Sequence, residues 1–159
     1  LETEFVVVGS QAVLVQFANP PSDLLLSNEV DIYPENRPDL SDLIDGTIGY
    51  YSMFHQTFGI YADGVGPETA NLPRDWRSRA KTLRTHMTEG ATGIAPEIHD
   101  LLASKLIAGR EKDIDWVRAA LAHGLADAMK IVPLLDRIEA DKVLIERAKE
   151  RLAHLSPRK

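Results

Sequence analysis

The first apolar run of the chain, Phe5 to Val8, has no polar residue inside it and ends in consecutive valines. A continuous run of this kind is typical of a strand that is buried on both faces. The run stops at Gly9-Ser10, and Gln11 to Phe17 is predicted to form a short helix. Consecutive prolines after Asn19 end that helix, because proline cannot continue it. The chain therefore opens with a strand, a glycine turn and a short helix.

Polar and apolar residues alternate in the next predicted strand, which lies between Ser27 and Pro34. Side chains two positions apart share one face of a strand, so Glu29 and Asp31 are expected to point the same way, while Val30 points inward. Two carboxylates on one face repel each other, and that arrangement is usually kept where a divalent cation lies between them. The alternation therefore predicts a metal site on this strand.

The following segment mixes predicted helices with short strands. Asp39 or Ser41 is expected to cap a helix that runs towards Tyr50. Further strands are predicted at Phe58–Ala62, Arg84–Met87 and Gly93–Ala95. The first of these is expected to close at Asp63-Gly64, because an aspartate followed by glycine is a strong turn signal.

From residue 96 onwards the pattern is helical. Helices are predicted at Ile98–Leu106, at Glu111–Leu121, around Gly124 and Pro133, and at Ala140–Leu155. This succession predicts an α/β (α+β) fold with a short mixed sheet flanked by helices. The core domain is expected over residues 1–95. A helical C-terminal part over residues 96–159 is expected to pack on it, so that the two form a single compact unit.

Composition and charge narrow the class of protein. A chain of 159 residues is long enough to bury one core, and it has no cysteine for disulfides or thiolate metal ligands. No apolar run is long enough to span a bilayer, so a cytoplasmic protein without a membrane partner is expected. The net charge of −6 argues against indiscriminate binding of nucleic acid.

Two motifs in the chain resemble those of a known family. Gly9-Ser10 followed by Glu29-Val30-Asp31 resembles the signature of the nucleotidyltransferase superfamily, which has the DNA polymerase β-like fold. The segment from Asp100 to Asp113 resembles a helix of small bacterial nucleotidyltransferases related to the AbiEii toxins and of an uncharacterised family beside them. The resemblance runs from Phe5 to Leu121. It implies the nucleotidyltransferase-like fold and metal-dependent transfer of a nucleotide from a nucleoside triphosphate.

The resemblance also implies roles for the residues near the glycine turn. Glu29 and Asp31 would hold Mg²⁺ (or Mn²⁺), since hard carboxylate ligands suit a cation that neutralises a triphosphate. Gly9 would let the backbone approach the phosphates, and Ser10 would offer them a hydroxyl and backbone amides. Asp63 stands where the superfamily often has a third carboxylate, which is usually associated with the role of catalytic base.

The later segment is implied to complete the site. Lys105 would place a positive charge on the phosphates. Asp113 would orient Arg110 or Lys112, or touch the substrate. The implied partners are a nucleoside triphosphate, an RNA or protein acceptor hydroxyl, and a cognate toxin or antitoxin in a toxin–antitoxin or defence pair. The rival interpretation is an inactive binding or antitoxin module. It is favoured by Leu25, which replaces the family's usual arginine, and by Glu29, which replaces an aspartate.

Each motif also has a purely structural interpretation. Gly9-Ser10 alone would be a tight turn, the acid pair would be the solvated face of an edge strand, and Asp63-Gly64 would be a hairpin turn. Lys105 and Asp113 would be surface charges on an amphipathic helix. The joint occurrence of these motifs favours function over the structural interpretation.

Three other groups of residues are given structural roles. The basic stretch from Arg74 to Arg84 could meet phosphates, but Trp76 is expected to anchor it to the core as an ordinary loop. The histidines show no spacing typical of metal ligands. A group of large apolar side chains is expected to fill the core rather than to form a base pocket: Tyr50, Tyr51, Met53 and Phe54.

Overall fold

The computed structural model describes residues 2–155 and confirms the predicted α+β fold, with five strands and seven α-helices in that part of the chain. The chain divides into two compact units. The first comprises Leu1–Thr69 and Lys81–Ala95, and the second comprises Ala70–Ala80 and Pro96–Lys159. Leu1 and residues 156–159, which the predicted domain ranges include, lie outside the described residues. That the helical part packs on the core as a single unit stays a prediction.

The first unit contains one mixed sheet. Its strands are β1 (Glu4–Val8), β2 (Glu29–Pro34), β3 (Tyr61–Gly64), β4 (Lys81–Leu83) and β5 (Thr92–Ala95). They lie in the order β3-β2-β1-β5-β4. Strand β1 is antiparallel to β2 and parallel to β5, while β3 is parallel to β2 and β4 is antiparallel to β5. The uninterrupted apolar run of β1 fits its place at the centre of the sheet, where Val6 and Val8 are buried.

Three short helices complete the first unit: α1 (Val13–Gln16), α2 (Asp42–Ile48) and α3 (Met53–Phe58). Helices α2 and α3 form the crossover that parallel pairing of β2 with β3 requires. The prediction that the third strand begins at Phe58 is wrong. The Ser52 side chain caps α3 by accepting a hydrogen bond from the His55 amide, and Gly59 ends the helix in the left-handed conformation. Phe58 is therefore helical, and β3 begins at Tyr61.

The edge of the sheet also differs from expectation. Strand β4 ends at Leu83, before the strand predicted at Arg84–Met87. His86–Thr88 forms a single 3-10 turn, because Thr85 and Thr88 make reciprocal capping hydrogen bonds between side chain and backbone. Local capping thus takes precedence over the strand tendency of this segment.

The second unit is built around one buried helix. Helix α4 (Ile98–Ala108) packs against α5 (Glu111–Ala122), α6 (Ala128–Leu135) and α7 (Lys142–Leu155). Every residue from Ile98 to Ile107 except His99 is buried, as expected of a helix with neighbours on most sides. Trp76 is also buried, which confirms its predicted anchoring role.

A buried ion pair holds the loop that contains Trp76. Asp100 on α4 has no exposed surface, and both of its carboxylate oxygens accept hydrogen bonds from Arg79, at 2.9 and 2.7 Å. Burial raises the pKa of Asp100, while the hydrogen bonds from Arg79 act in the opposite direction. Arg79 also donates to Asp75 within the loop. The pair therefore fixes the loop segment to the core helix of its own unit.

Among residues 2–155, no helix combines the length and apolar character needed to cross a bilayer.

Replacing Arg79 with methionine is expected to lower the free energy of unfolding by about 3 kcal/mol, since Asp100 would keep its burial and lose its paired charge. The control is Arg74→Met, which removes an exposed ion pair with Glu139 and should cost no more than about 1 kcal/mol. Urea unfolding followed by circular dichroism measures both. Equal losses in the two variants would contradict the structural role of the buried pair.

Candidate active site

The parallel pairing of β2 with β3 brings three carboxylates together. Asp31 lies directly opposite Asp63 in the register of the two strands, and Glu29 lies opposite Tyr61. Directly opposite residues share a face of the sheet, and so do residues two positions apart on one strand. Carboxylate oxygens of Glu29, Asp31 and Asp63 consequently lie within 4.8 Å of one another. Asp63 is thus a strand residue beside the acid pair, and its predicted place in a hairpin turn is wrong.

Gly9 borders this cluster at the end of β1. Its backbone has φ 67° and ψ −163°, a region that is essentially restricted to glycine. A Cβ atom at this position would lie 2.0 Å from Oδ2 of Asp31, which is far inside van der Waals contact. Gly9 is therefore required both for the turn and for the space that the Asp31 carboxylate occupies.

Tyr61 is a site residue that was not predicted. Its hydroxyl donates a hydrogen bond of 2.8 Å to Oε2 of Glu29, and this bond together with burial raises the pKa of Tyr61 to about 12. The contact fixes the longer side chain of Glu29 in one position. The sequence contained a signal, because Tyr61-Ala62-Asp63 repeats the spacing of Glu29-Val30-Asp31 on a neighbouring strand.

Asp45 on α2 is the second residue that was not predicted. Its Oδ1 accepts a hydrogen bond of 2.7 Å from the Gly64 amide, next to Asp63. Burial raises the pKa of Asp63, and repulsion from Asp45 and Glu29 and a hydrogen bond with Asp45 add to that effect. No motif marks Asp45 in the sequence, because its role depends on how α2 folds back against β3.

The glycine turn and the acidic strand are tied together by polar contacts. The buried side chain of Gln11 donates a 2.7 Å hydrogen bond to the Ser27 carbonyl. The Ser27 hydroxyl in turn accepts one of 3.1 Å from the amide of Glu29. Ser10 is half-buried and opens the 3-10 turn that follows Gly9. These contacts fix the start of β2 relative to the turn.

The carboxylate cluster fits a divalent cation. Mg²⁺ and Mn²⁺ prefer hard oxygen ligands, and three carboxylates from two neighbouring strands supply them. The cluster is only partly buried, so water can complete the coordination of an ion. A cation would also offset the mutual repulsion of Glu29, Asp31 and Asp63.

The other predicted site residues belong to the second unit and form a cluster there. The Lys105 ammonium lies 3.3 Å from Oδ1 of Asp113 and 4.9 Å from the centre of the Trp116 ring. Arg110 donates a 2.6 Å hydrogen bond to Oδ2 of Asp113. The side chains of Lys105 and Asp113 are 8% and 2% exposed. They are therefore buried charges of this unit, and the interpretation as surface charges is wrong. Their predicted role in nucleotide binding stays a prediction.

The pKa of Asp113 reflects two opposing effects. Burial favours the protonated carboxyl group, but the hydrogen bond from Arg110 and the positive charge of Lys105 outweigh it and lower the pKa. Asp113 is therefore held as a carboxylate that compensates the buried charge of Lys105.

The large apolar residues expected in the core lie mostly outside it. Tyr50, Tyr51 and Met53 are 57%, 75% and 80% exposed, and only Phe54 is half-buried. The prediction that they fill the core is wrong for the first three. Tyr50 and Tyr51 lie in the turn between α2 and α3, and Met53 begins the short helix α3.

Comparison with known proteins identified one family. A family model described as a nucleotidyltransferase of unknown function (DUF6036) matches residues 1–155. No curated protein and no solved structure matches the chain.

Replacing Gly9 with alanine should destabilise the first unit more than the same change at Gly59. Gly59 also has positive φ, at 72°, but a Cβ there would meet nothing within 4 Å. Gly59→Ala is expected to cost about 1 kcal/mol of unfolding free energy from backbone strain. Gly9→Ala adds a clash with Asp31 and should cost about 3 kcal/mol in all. Urea unfolding distinguishes them, and equal costs would mean that the carboxylate moves aside freely.

Replacing Asp113 with asparagine should lower stability at neutral pH by about 3 kcal/mol, because Lys105 would remain buried without its compensating charge. The pKa of Asp113 is lower in the folded than in the unfolded protein. Its ion pairs therefore stabilise the fold above the unfolded-state value of about 3.9, and this contribution is lost as the pH falls through the folded-state pKa.

The difference between wild type and Asp113→Asn should therefore shrink between neutral pH and about pH 3 in urea unfolding. Asp115→Asn is the control on the same helix, since Asp115 makes only an exposed pair with Arg118. A gap between wild type and Asp113→Asn that stays constant with pH would contradict an ionised Asp113.

Proposed function

The chain belongs to this family of nucleotidyltransferases of unknown function, and we propose that it transfers a nucleotide from a nucleoside triphosphate to a hydroxyl group with a bound divalent cation. The hydroxyl oxygen bonds to the α-phosphorus, and pyrophosphate leaves as the bond to the β-phosphate breaks. One observation carries the proposal. The carboxylates of Glu29, Asp31 and Asp63 converge within 4.8 Å on neighbouring strands. Gly9 leaves space for one of them, at a turn that resembles the superfamily signature.

Glu29 and Asp31 would hold Mg²⁺ (or Mn²⁺). When bound, the cation supplies charge neutralisation for the phosphates and makes the attacking hydroxyl more acidic. The chain contributes preorganisation. The Tyr61 hydroxyl donates a hydrogen bond to Glu29, and the lack of a Cβ atom at Gly9 leaves space for the Asp31 carboxylate. The hydrogen bond from Tyr61 also holds the glutamate that stands where the superfamily signature has an aspartate.

Asp63 is proposed to receive the proton of the attacking hydroxyl. Burial and the nearby carboxylates Asp45 and Glu29 raise its pKa, which makes it a better proton acceptor than an ordinary aspartate. The hydrogen bond between Asp45 and the Gly64 amide keeps the end of β3 in place. Asp45 would thus act as a positioning residue for Asp63.

Gly9 and Ser10 are proposed to meet the phosphates through backbone amides and the serine hydroxyl. The same role is proposed for Lys105, with Arg110 and Asp113 orienting it. This second assignment rests on the resemblance of the segment from Asp100 to Asp113 and on the ion pairs that order these side chains in their own unit.

The acceptor is proposed to be a hydroxyl of RNA or of a protein, and the setting a toxin–antitoxin or defence pair. The support for both is the resemblance to the AbiEii-related nucleotidyltransferases. The rival function is a module that keeps the fold and binds a partner without turnover. It is supported by Leu25, which stands in place of the family's usual arginine.

Magnesium-dependent labelling with each α-³²P nucleoside triphosphate tests the proposal. The purified chain is incubated with cellular RNA and with a cell protein extract, and the size of the labelled product identifies the acceptor. Asp31→Asn should reduce labelling at least about 100-fold, because it removes a carboxylate from the cation site.

The matched control is Asp42→Asn, which changes an exposed carboxylate on α2 outside the cluster and should retain wild-type labelling. Chelation with EDTA should abolish labelling by the wild type and by Asp42→Asn. Labelling that survives in Asp31→Asn would contradict the proposed site. Absence of labelling with every triphosphate and acceptor would leave the binding module.

A further inference from the structure

Four aromatic rings from the turn between α2 and α3, from α3 and from β3 form a cluster. Tyr50 is at its centre, with its ring 4.1 Å from Tyr51, 4.8 Å from His55 and 5.0 Å from Tyr61, measured between centroids. The rings of His55 and Tyr61 are also 5.0 Å apart. These separations and the tilted or edge-on arrangements are typical of favourable aromatic contacts. The cluster is therefore an ordered surface rather than a set of independent side chains.

Two members of this cluster are largely exposed to solvent. Tyr50 is 57% exposed and Tyr51 is 75% exposed, although each has a large apolar ring. Neighbouring exposed rings of this size are unusual on a folded surface and commonly mark a place where a ligand binds. The exposed rings therefore call for a ligand with a flat apolar face.

The backbone at Tyr51 is held in an uncommon conformation. Its φ is 65°, a region that residues with a bulky side chain rarely adopt. The Tyr51 amide donates a 3.1 Å hydrogen bond to Nδ1 of His55, and the Tyr51 carbonyl accepts one of 3.1 Å from Gln56. Strain that the surroundings hold in place in this way is typical of preorganised binding sites.

The cluster is continuous with the carboxylate site. Tyr61 belongs to both, since its ring contacts Tyr50 and His55 while its hydroxyl donates to Glu29. A ligand whose phosphates meet the carboxylate-bound cation would have its remaining part next to these rings. In a nucleoside triphosphate that part is the base, whose flat face stacks well on aromatic side chains.

We propose that Tyr50 and Tyr51 form the stacking surface for the base of the nucleoside triphosphate. This inference rests on the proposed function and adds to it the residues that receive the base. Stacking alone accepts any base, because each has an aromatic face. A purine has a larger aromatic face than a pyrimidine. The surface is therefore expected to bind purine nucleotides more tightly than pyrimidine nucleotides, because more ring area is stacked.

The charge of the first unit favours a free nucleotide over a nucleic acid strand at this surface. Acidic residues outnumber basic ones in this unit, and its basic residues are Arg37, Lys81 and Arg84. Arg37 is paired with Asp39, and Lys81 lies on β4 at the edge of the sheet opposite β3. A polyanionic strand would meet few compensating charges here, whereas a nucleoside triphosphate arrives with its own Mg²⁺.

Isothermal titration of the wild-type chain with the Mg²⁺ complexes of ATP, GTP, CTP and UTP tests this inference. Inorganic tripolyphosphate with Mg²⁺ serves as a probe that lacks the base. Tyr50→Ala should weaken binding of the nucleoside triphosphates about tenfold or more, by loss of stacking, and leave tripolyphosphate binding unchanged. Tyr50→Phe keeps the ring and should bind like wild type.

Phe58→Ala is the matched control, because Phe58 is a 64% exposed aromatic residue of α3 outside the four-ring cluster. It should bind every probe like wild type. Unchanged triphosphate affinity in Tyr50→Ala would overturn the stacking surface, and so would equal weakening of triphosphate and tripolyphosphate. A short oligonucleotide serves as a further probe in the same titration. If Tyr50→Ala weakens the binding of the oligonucleotide only, the surface holds an acceptor base and the inference is wrong.

The inference and the proposed function can fail separately. Wild-type protein that binds neither a nucleoside triphosphate nor tripolyphosphate would contradict the proposed function itself. Wild-type protein that binds both, with a Tyr50→Ala variant that also binds both equally well, would contradict only the stacking surface.

Discussion

Mutual repulsion among Glu29, Asp31 and Asp63 is the constraint on which the first unit depends. Three carboxylates within 4.8 Å destabilise a fold unless something offsets their charge. The surrounding residues give partial relief: the Tyr61 hydroxyl donates to Glu29, and burial shifts Asp63 towards its protonated form. The absence of a side chain at Gly9 leaves room for the Asp31 carboxylate. A divalent cation bound by the three carboxylates would offset this cost.

In the second unit, buried carboxylates lie next to positively charged side chains. Asp100 is paired with Arg79, and Asp113 is paired with Lys105 and Arg110. The contrast distinguishes the two clusters. In the second unit the buried carboxylates Asp100 and Asp113 have cationic partners from the chain. The carboxylate cluster brings three acids together, and this arrangement fits a cation from solution.

The central strand and the acid pair on β2 are predictable because their signals are local. The apolar run of β1 and the alternation of Glu29 and Asp31 follow directly from strand periodicity. The Asp-Gly pair predicts a turn at Asp63, yet parallel pairing extends β3 through both residues. The strand predicted from Phe58 begins only at Tyr61, and Phe58 itself is helical. The capping serine and glycine that make it helical lie at the ends of α3. Asp45 and Tyr61 depend on tertiary contacts, which a single sequence does not contain.

Paramagnetic broadening by Mn²⁺ in a ¹⁵N-labelled sample is the most direct test of a cation site at Glu29, Asp31 and Asp63. Mn²⁺ broadens amide signals only within a short distance of the bound ion, so the first signals lost report its position without requiring activity. We expect substoichiometric Mn²⁺ to broaden the amide signals of Gly9, Asp31 and Asp63 first, and excess Mg²⁺ to restore them. Broadening centred on other acids, such as Asp39 and Asp42, or spread evenly over the acidic surface, would contradict a cation site between β2 and β3.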